Sequence, residues 1–501
     1  MGIFGNICPP DRCSGTVASH LLVSRKAMSS TSTALALPLL SAVMLTRNRV
    51  KRCLDCVRYT AGAMRHMSSS ILVINNGRSD VPLPGSVDGV PCRVINTGRN
   101  LGAAARNISL AETDSEFLVM LDDDAYVERE SVEAMLRTFE SDPRIGAVGF
   151  RVKDGSCREE SCLLPTIFHG CACGFRASAL KKIGGYPSDF LYYGEEYSVA
   201  FRLYQAGYRI VTLDGPPRVF HARDADGRDK NKIIELLVAN NVRLWTESMP
   251  WRYVPMAIGD TLRRYAYVSK KESAKRGFLA GCARMPNALL RGLLRRRPIP
   301  GSVFKRVVLL EQLSAACRRL EAAGNRPLAV CGTGKFPSFW LRALKTHGLR
   351  VAAFLDMNPC WRGAALHGIP VLVPNTQDPL SIRRLIDDMD GHLFLTGLSS
   401  LSENTRWRAA LGDAGKSDCA APVPTEESAR DGIFDLLGGT GIGFFSNSRS
   451  GPAIPESACT FREFTASEGG PAGPDTVRGT AAAGPLGRFG IVRNPRNEEM
   501  I

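Results

Sequence analysis

The sequence predicts an α/β chain built on a largely parallel sheet with helices on both faces. Three observations predict it. Short aliphatic and β-branched runs, Ala34–Leu45, Ile71–Ile74, Cys92–Asn96 and Phe117–Leu121, alternate with stretches long enough for helices. Polar or glycine-bearing turns follow these runs: NNGRSD, NTGRNLG and the aspartate triplet Asp122–Asp124. The chain of 501 residues, 44% hydrophobic, is too long for one core, so two or more domains with tails are expected.

The elements follow in order. Residues 1–33 are Ser/Thr-rich and patternless and read as a disordered leader. Ala34–Leu45 is too short to span a bilayer, and TRNRVKR follows it rather than a small-residue cleavage site, so it reads as a first buried strand. A helix is expected over Val50–Met64, strands at Ile71–Ile74 and Cys92–Asn96, a helix opening in GAAARNISLAE, and a fourth strand at Phe117–Leu121. In parallel sheets ligands bind beyond the carboxyl ends of the strands, so the three turns should converge on one crevice.

Further on, a helix should start near Glu195, with Val199, Leu203 and Tyr204 on its apolar face. Gly207 stops it, and a strand follows at Arg209–Leu213. Residues 240–310 read as helical, basic and Leu-rich. A unit from about Pro327 reads strand, glycine turn, helix, strand, acid. From residue 416 the Gly/Pro/Ser/Thr-rich chain lacks periodicity and reads as disordered. The expected division is 1–33 leader, 34–240 main domain, 241–310 basic helical arm, 325–415 second α/β domain and 416–501 tail.

Lys and Arg outnumber Asp and Glu by 64 to 49, a net of +15. Much of the excess is local: Arg252–Arg306 holds 14 Lys/Arg against Asp260 and Glu272, a net of +12. One basic block points to an anionic partner at that place. With Leu289, Leu290, Leu293 and Leu294 beside RRR it reads as a membrane-surface helix, with an ordinary solvated basic helix as the alternative. No nucleic-acid motif accompanies it, so nucleic acid is not expected as a partner. The 15 cysteines include CLDC (Cys53, Cys56) and CAC (Cys171, Cys173), but neither has a second pair at zinc-site spacing. Small buried thiols are the expected reading.

Three adjacent carboxylates at a hydrophobic strand tip repel one another unless something cationic sits there. Aspartates are hard oxygen ligands that suit Mg²⁺ or Mn²⁺, although acidic turns are common without a metal. Glu195 and Glu196 at a helix start complement its dipole, which accounts for one of them and leaves the preceding glycine unexplained.

Taken together, VMLTRNR, ILVINNGRSD, NTGRNLGAAARN, FLVMLDDDA, GFRASALKKIGGYP, GEEYSVAFRLYQAGYRI and VFH resemble, in order and spacing, the family 2 glycosyltransferases, which have the GT-A nucleotide-diphospho-sugar transferase fold. The resemblance covers about residues 40–300. It implies Mn²⁺ or Mg²⁺ at Asp122, Asp124 and His221, with Asp123 near the donor sugar. Glu196 aligns with the catalytic base, usually an Asp, and Glu195 with its companion. Thr46, Arg47, Asn76 and Arg106 fall in loops that hold the base and diphosphate. The family usually has an acid where this chain has Asn75–Asn76.

By the same resemblance the donor is a nucleotide-diphosphate sugar and the acceptor a glycan or lipid-linked hydroxyl. The expected location is cytoplasmic, peripheral at the inner membrane face. The unit at 325–415 resembles Rossmann-like accessory domains of sugar-modifying enzymes. Pro337 replaces the third glycine of a dinucleotide fingerprint, and Asp356 stands where a ribose-binding acid would be, but a structural domain with no ligand is the favoured reading of this unit. The competing reading is a non-catalytic sugar-nucleotide or glycan-binding scaffold. Intact Asp122, Asp124, Glu196 and His221 favour the enzyme.

Overall fold

A computed structural model describes residues 39–415, apart from 156–158, 214–218, 223–228, 323, 325, 376–377 and 379, together with 442–445. The expected leader at 1–33 and most of the tail from 416 lie outside the described residues.

The strands of the first part are β1 (Leu40–Thr46), β2 (Ser69–Asn75), β3 (Ser86–Val87), β4 (Val90–Asn96), β5 (Phe117–Asp122), β6 (Ala125–Val127), β7 (Ile145–Gly149), β8 (Val152–Asp154), β9 (Glu159–Glu160), β10 (Ala172–Arg176), β11 (Arg209–Leu213) and β12 (Val219–His221). The second part has β13 (Leu328–Cys331), β14 (Val351–Leu355), β15 (Ala365–Leu366), β16 (Ile369–Leu372) and β17 (Leu393–Leu395), and β18 is Ile442–Phe445. The main sheet has nine strands in the order β18-β11-β7-β10-β5-β1-β2-β4-β3. β1 runs parallel to β2 and β5, and β2 to β4, while β10 is antiparallel between β5 and β7. The sheet is mixed and mostly parallel, as the sequence predicts. Inside the stretch expected to be structureless, β18 pairs in parallel with β11 at the sheet edge.

Period-two alternation sorts the strand residues onto two faces. Ala42, Met44, Val73, Val119 and Leu121 pack with Cys53, Cys56 and Val57 of helix Val50–Met64 and with Met135 and Phe139 of helix Arg129–Ser141. The other face, Val43, Leu45, Leu72, Ile74, Leu118 and Met120, belongs to a core that includes Phe201 and Trp245 and continues to Trp340, Val330 and Phe354 of the second part. Cys53 and Cys56 are free thiols inside the core, and no described cysteine is in a disulfide.

GAAARNISLAE departs from the expected single helix. It is a 3₁₀ turn over Gly102–Ile108 followed by one α-turn, Ser109–Glu112. Its start is anchored by Ala103 N–H donating to Leu191 C=O, and a side chain at Gly102 would strike that carbonyl. The tight turn keeps the chain there.

Helix Lys230–Ser248 crosses residue 240, where the arm was expected to begin, and helices Val254–Lys271, Lys275–Ala283, Met285–Leu294 and Gly301–Val307 follow it. Part of the arm's charge holds the second part in place. Arg264 donates to Gly334 C=O and lies over the Trp361 ring, which stacks on Tyr267 at 5.0 Å. Asp260, buried, accepts from Ser338 N at 3.0 Å and Ser338 Oγ at 2.5 Å, capping helix Pro337–Thr346 from outside it. Asp260→Ala leaves that amide without its acceptor and should lower stability by about 1–3 kcal/mol. Urea unfolding checks it; an unchanged midpoint would show that the cap contributes nothing.

The second sheet has the order β15-β16-β14-β13-β17 with a parallel core. Its glycine loop is filled by its own chain: the Trp340 ring and Leu398 C=O stand where a side chain at Gly334 would go. Asp356 accepts from Thr333 N at 2.9 Å, Thr333 Oγ1 at 2.7 Å and Asn358 N at 2.9 Å. The acid at the ribose-binding position is thus held by its own loop.

Candidate functional site

Strand register assembles the crevice. Thr46 pairs with Asn75, Leu45 with Asp122, and Asn75 with Asn96, so the carboxyl ends of β1, β2, β4 and β5 lie in one row. A separate small sheet of four strands, β6-β12-β8-β9, lies beyond the aspartate turn. β6 begins directly after Asp124, and β12 pairs with it so that His221 stands opposite Ala125. Ala222 N–H donates to Asp124 C=O at 2.9 Å, fixing His221 beside the turn.

The three carboxylates are answered by the protein's own cations. Arg49 Nη1 donates to Asp124 Oδ2 at 2.9 Å, and Arg49 Nε to Asp123 Oδ2 at 3.2 Å. Arg106, 4% exposed, pairs with Asp122. His221 Nε2 lies 3.4 Å from Asp124 Oδ1, and its Nδ1 donates to Glu160 Oε2 at 2.9 Å. Burial opposes a charge on Asp124, but the hydrogen bond and charge of His221, then Arg49, hold its carboxyl below the usual range. Asp123 is fully buried and accepts from Thr46 Oγ1 at 2.6 Å. Burial pushes its carboxyl up to about 6 against the pull of Arg49 and Thr46. Its carboxylate therefore faces Thr46 and Arg49 from beneath the turn, while Asp122 is half-buried at the surface.

The oxygens of Asp122 and Asp124 and a ring nitrogen of His221 lie within 4.8 Å of one another. Two hard carboxylates and an imidazole are a donor set that fits Mn²⁺ or Mg²⁺.

Glu195 and Glu196 open helix Glu195–Gln205, as expected. Gly194 precedes them at φ +91°, a left-handed conformation that accounts for the glycine. Glu195 is buried, and its Oε2 makes no hydrogen bond among the described residues. Burial first, then the neighbouring Glu196, pushes its carboxyl well up. Glu196 is half-buried, and a side chain at Gly170 would collide with its carboxylate, so the missing Cβ makes its room. Burial also raises the Glu196 carboxyl, opposed by backbone hydrogen bonding and Arg106. Both glutamates interact electrostatically with Arg106 and Asp122, which places the pair near the triplet.

The remaining expected residues divide. Asn76 is buried and binds its own loops: Nδ2 donates to Gly102 C=O at 3.0 Å, and Oδ1 accepts from Thr97 Oγ1 at 3.3 Å. Asn75 Nδ2 donates to Asn96 Oδ1 at 2.8 Å, which shows what the amide does where an acid was expected. Arg47 is exposed, and its charge reaches Tyr192.

Three residues were not singled out from sequence. Arg49, immediately before helix Val50–Met64, carried a usable signal: a cation at the carboxyl end of β1. Glu160 had none, since it meets His221 from 61 positions away. Lys335, from the loop after β13, is buried with its ammonium 4.8 Å from the Tyr197 ring and 5.5 Å from the Trp245 ring. Burial, then the Arg264 charge, pulls its amine down to about 7 against the opposing pull of Cys162 and Glu196.

Residues 41–161 match the family model described as Glycosyl transferase family 2. The match contains the aspartate triplet and Glu160 and ends before Glu195, Glu196 and His221. No curated protein matches the chain. Among solved structures it is similar to the mannosyltransferase PcManGT of Pyrobaculum calidifontis in complex with GDP-Man and Mn²⁺, at 17% identity and TM-score 0.34 over 52% of this chain and 87% of that one. It is also similar to residues 1–349 of TarS from S. aureus with UDP-GlcNAc, at 13% identity and TM-score 0.38 over 62% of this chain and 92% of that one. A third is GalNAc-T7 with UDP, GalNAc and Mn²⁺, at 14% identity and TM-score 0.36 over 45% of this chain and 51% of that one.

Proposed function

We propose that the chain is a metal-dependent, inverting glycosyltransferase that moves a hexose-type sugar from a nucleotide diphosphate to a hydroxyl of a glycan or lipid-linked acceptor. The observation that carries the reading is the convergence of Asp122, Asp124 and His221, donor atoms within 4.8 Å, with Glu196 near enough to interact electrostatically with Asp122 and Arg106. The family match over residues 41–161 supports it.

Asp122, Asp124 and His221 would hold Mn²⁺ or Mg²⁺, which when bound offsets charge on the leaving diphosphate. Arg49 and Arg106 lie on the carboxylates and bring further positive charge to the same place. Glu196 takes the proton from the acceptor hydroxyl as its oxygen attacks the anomeric carbon. A single displacement inverts that carbon and needs no covalent nucleophile. Burial and the neighbouring Glu196 push the Glu195 carboxyl well up, which favours the charge on Glu196 of the two. A screen of UDP-, GDP- and dTDP-sugars for Mn²⁺-dependent hydrolysis tests the reading. Turnover of one class supports it; binding of a sugar nucleotide with no turnover on any acceptor supports the scaffold instead.

A lipid-linked acceptor draws support from the arm. Leu279, Leu290, Leu293, Leu294 and Trp251 are exposed there, close in sequence to the exposed Lys275, Arg276, Arg291, Arg295 and Arg297. No described helix is long and apolar enough to cross a membrane. Surface attachment at the inner face of a membrane is therefore part of the proposal, with each basic side chain contributing about 1 kcal/mol near an anionic surface. The protein should pellet with anionic but not neutral vesicles, less so as salt rises, and Leu290→Ser with Leu294→Ser should weaken the salt-resistant part. Equal pelleting with both vesicles would remove the anionic-surface part of the reading, and none with either would leave the arm solvated or packed against the protein.

A further inference from the structure

We propose that Glu160 is the positioning residue of His221, holding its ring so that Nε2 points at the Asp122–Asp124 pair. This rests on the metal reading above and deepens it.

The placement follows from strand register. Val152 pairs with both Glu160 and Val219, and His221 lies two residues beyond Val219 on β12. Side chains two apart share a face, so Glu160 and His221 lie on one side of the small sheet, two strands apart across β8, on which Asp154 pairs with His221. Their atoms meet: Nδ1 donates to Glu160 Oε2 at 2.9 Å while Nε2 stands 3.4 Å from Asp124 Oδ1. Both residues are buried, at 8% and 6% exposure, so water does not easily substitute for either partner.

A carboxylate on Nδ1–H does two things for the far nitrogen. It fixes the tautomer with the lone pair on Nε2, and it increases the basicity of that lone pair. It also stops ring rotation, which would exchange the nitrogens. His169 reinforces the arrangement: its Nε2 lies 3.7 Å from Glu160 Oε2, and its Nδ1 lies 3.1 Å from Cys171 Sγ. The strand pair β8 and β9 thereby joins the candidate metal site to a segment far from it in sequence.

The test is Mn²⁺ affinity of the full chain without donor, measured by the EPR signal of free Mn²⁺. Glu160→Ala should weaken binding about 10- to 100-fold. Glu160→Gln retains an acceptor and should recover part of it. In a His221→Ala background, Glu160→Ala should have no further effect, because it acts through the ring. Unchanged Mn²⁺ affinity in Glu160→Ala while His221→Ala weakens it would overturn the assignment, as would additive losses in the double variant. Glu160, Cys171 and His221 also bring donor atoms within 4.8 Å of one another. Zn²⁺ binding lost in Glu160→Ala with Mn²⁺ binding intact would replace the proposal by a separate site. If Asp124→Asn and His221→Ala both leave Mn²⁺ affinity intact, the metal reading itself fails and the proposal with it.

Discussion

Asp124→Asn should abolish sugar transfer while the protein remains folded. Asp124 is 1% exposed and is the carboxylate that both Arg49 and His221 approach, so it stands at the centre of the candidate metal site. Asparagine keeps the shape and one acceptor oxygen but removes the charge that a hard divalent ion needs. The fold has reserves: Arg49 retains Asp123, and His221 retains Glu160. Loss of one charged hydrogen bond costs about 1.5–3 kcal/mol, less here because Arg49 is 35% exposed and solvent screens it. Turnover with saturating Mn²⁺ and the urea midpoint, measured side by side, separate the two effects. Equal rates for variant and wild type, or a wild-type rate that EDTA does not touch, would end the metal role.

Asp124 also shows how far the sequence could be read. The triplet follows an apolar strand, and ligands gather at the carboxyl ends of parallel strands, so its place in the molecule was legible. So were the helix Val50–Met64 and the strand Arg209–Leu213, whose bounds agree with the sequence reading. What neutralises the triplet was legible only in part. The sequence suggested an external cation, whereas Arg49 and Arg106 already answer it, and Arg49 reaches Asp124 from 75 positions away. Such a contact leaves no local pattern, because it exists only once β1 and β5 are paired. Glu160 is the same case. Asn76 is the converse: its position at a strand end suggested nucleotide contact, and the structure shows it bracing the loop from Thr97 to Gly102. An amide has donors and acceptors enough for either task, so residue type alone does not decide. In the second part, Gly332 and Gly334 carry part of a dinucleotide fingerprint and Asp356 the place of its ribose-binding acid, but Trp340 fills the loop from a helix turn later. Side-chain volume at that point is a tertiary fact.

Glu196→Gln should lower turnover about 10²-fold or more, the range of a general base, and leave nucleotide binding intact. Glutamine is isosteric, so the space beside Gly170 stays filled and only the proton acceptor is lost. The pH profile makes the prediction sharper. Burial raises the Glu196 carboxyl above its ordinary value, and a base works only when deprotonated. Activity should therefore fall as pH drops through that raised value, placing the acid limb of kcat/KM above the usual glutamate range. In Glu196→Gln the residual rate should lose that limb. Glu195→Gln is the control: burial and the neighbouring Glu196 push its carboxyl well up, so a neutral isostere is the smaller change there and should retain most of the activity. An inactive Glu195→Gln beside a near-normal Glu196→Gln would reverse the assignment within the pair. An acid limb unchanged in Glu196→Gln would place the base elsewhere in the crevice.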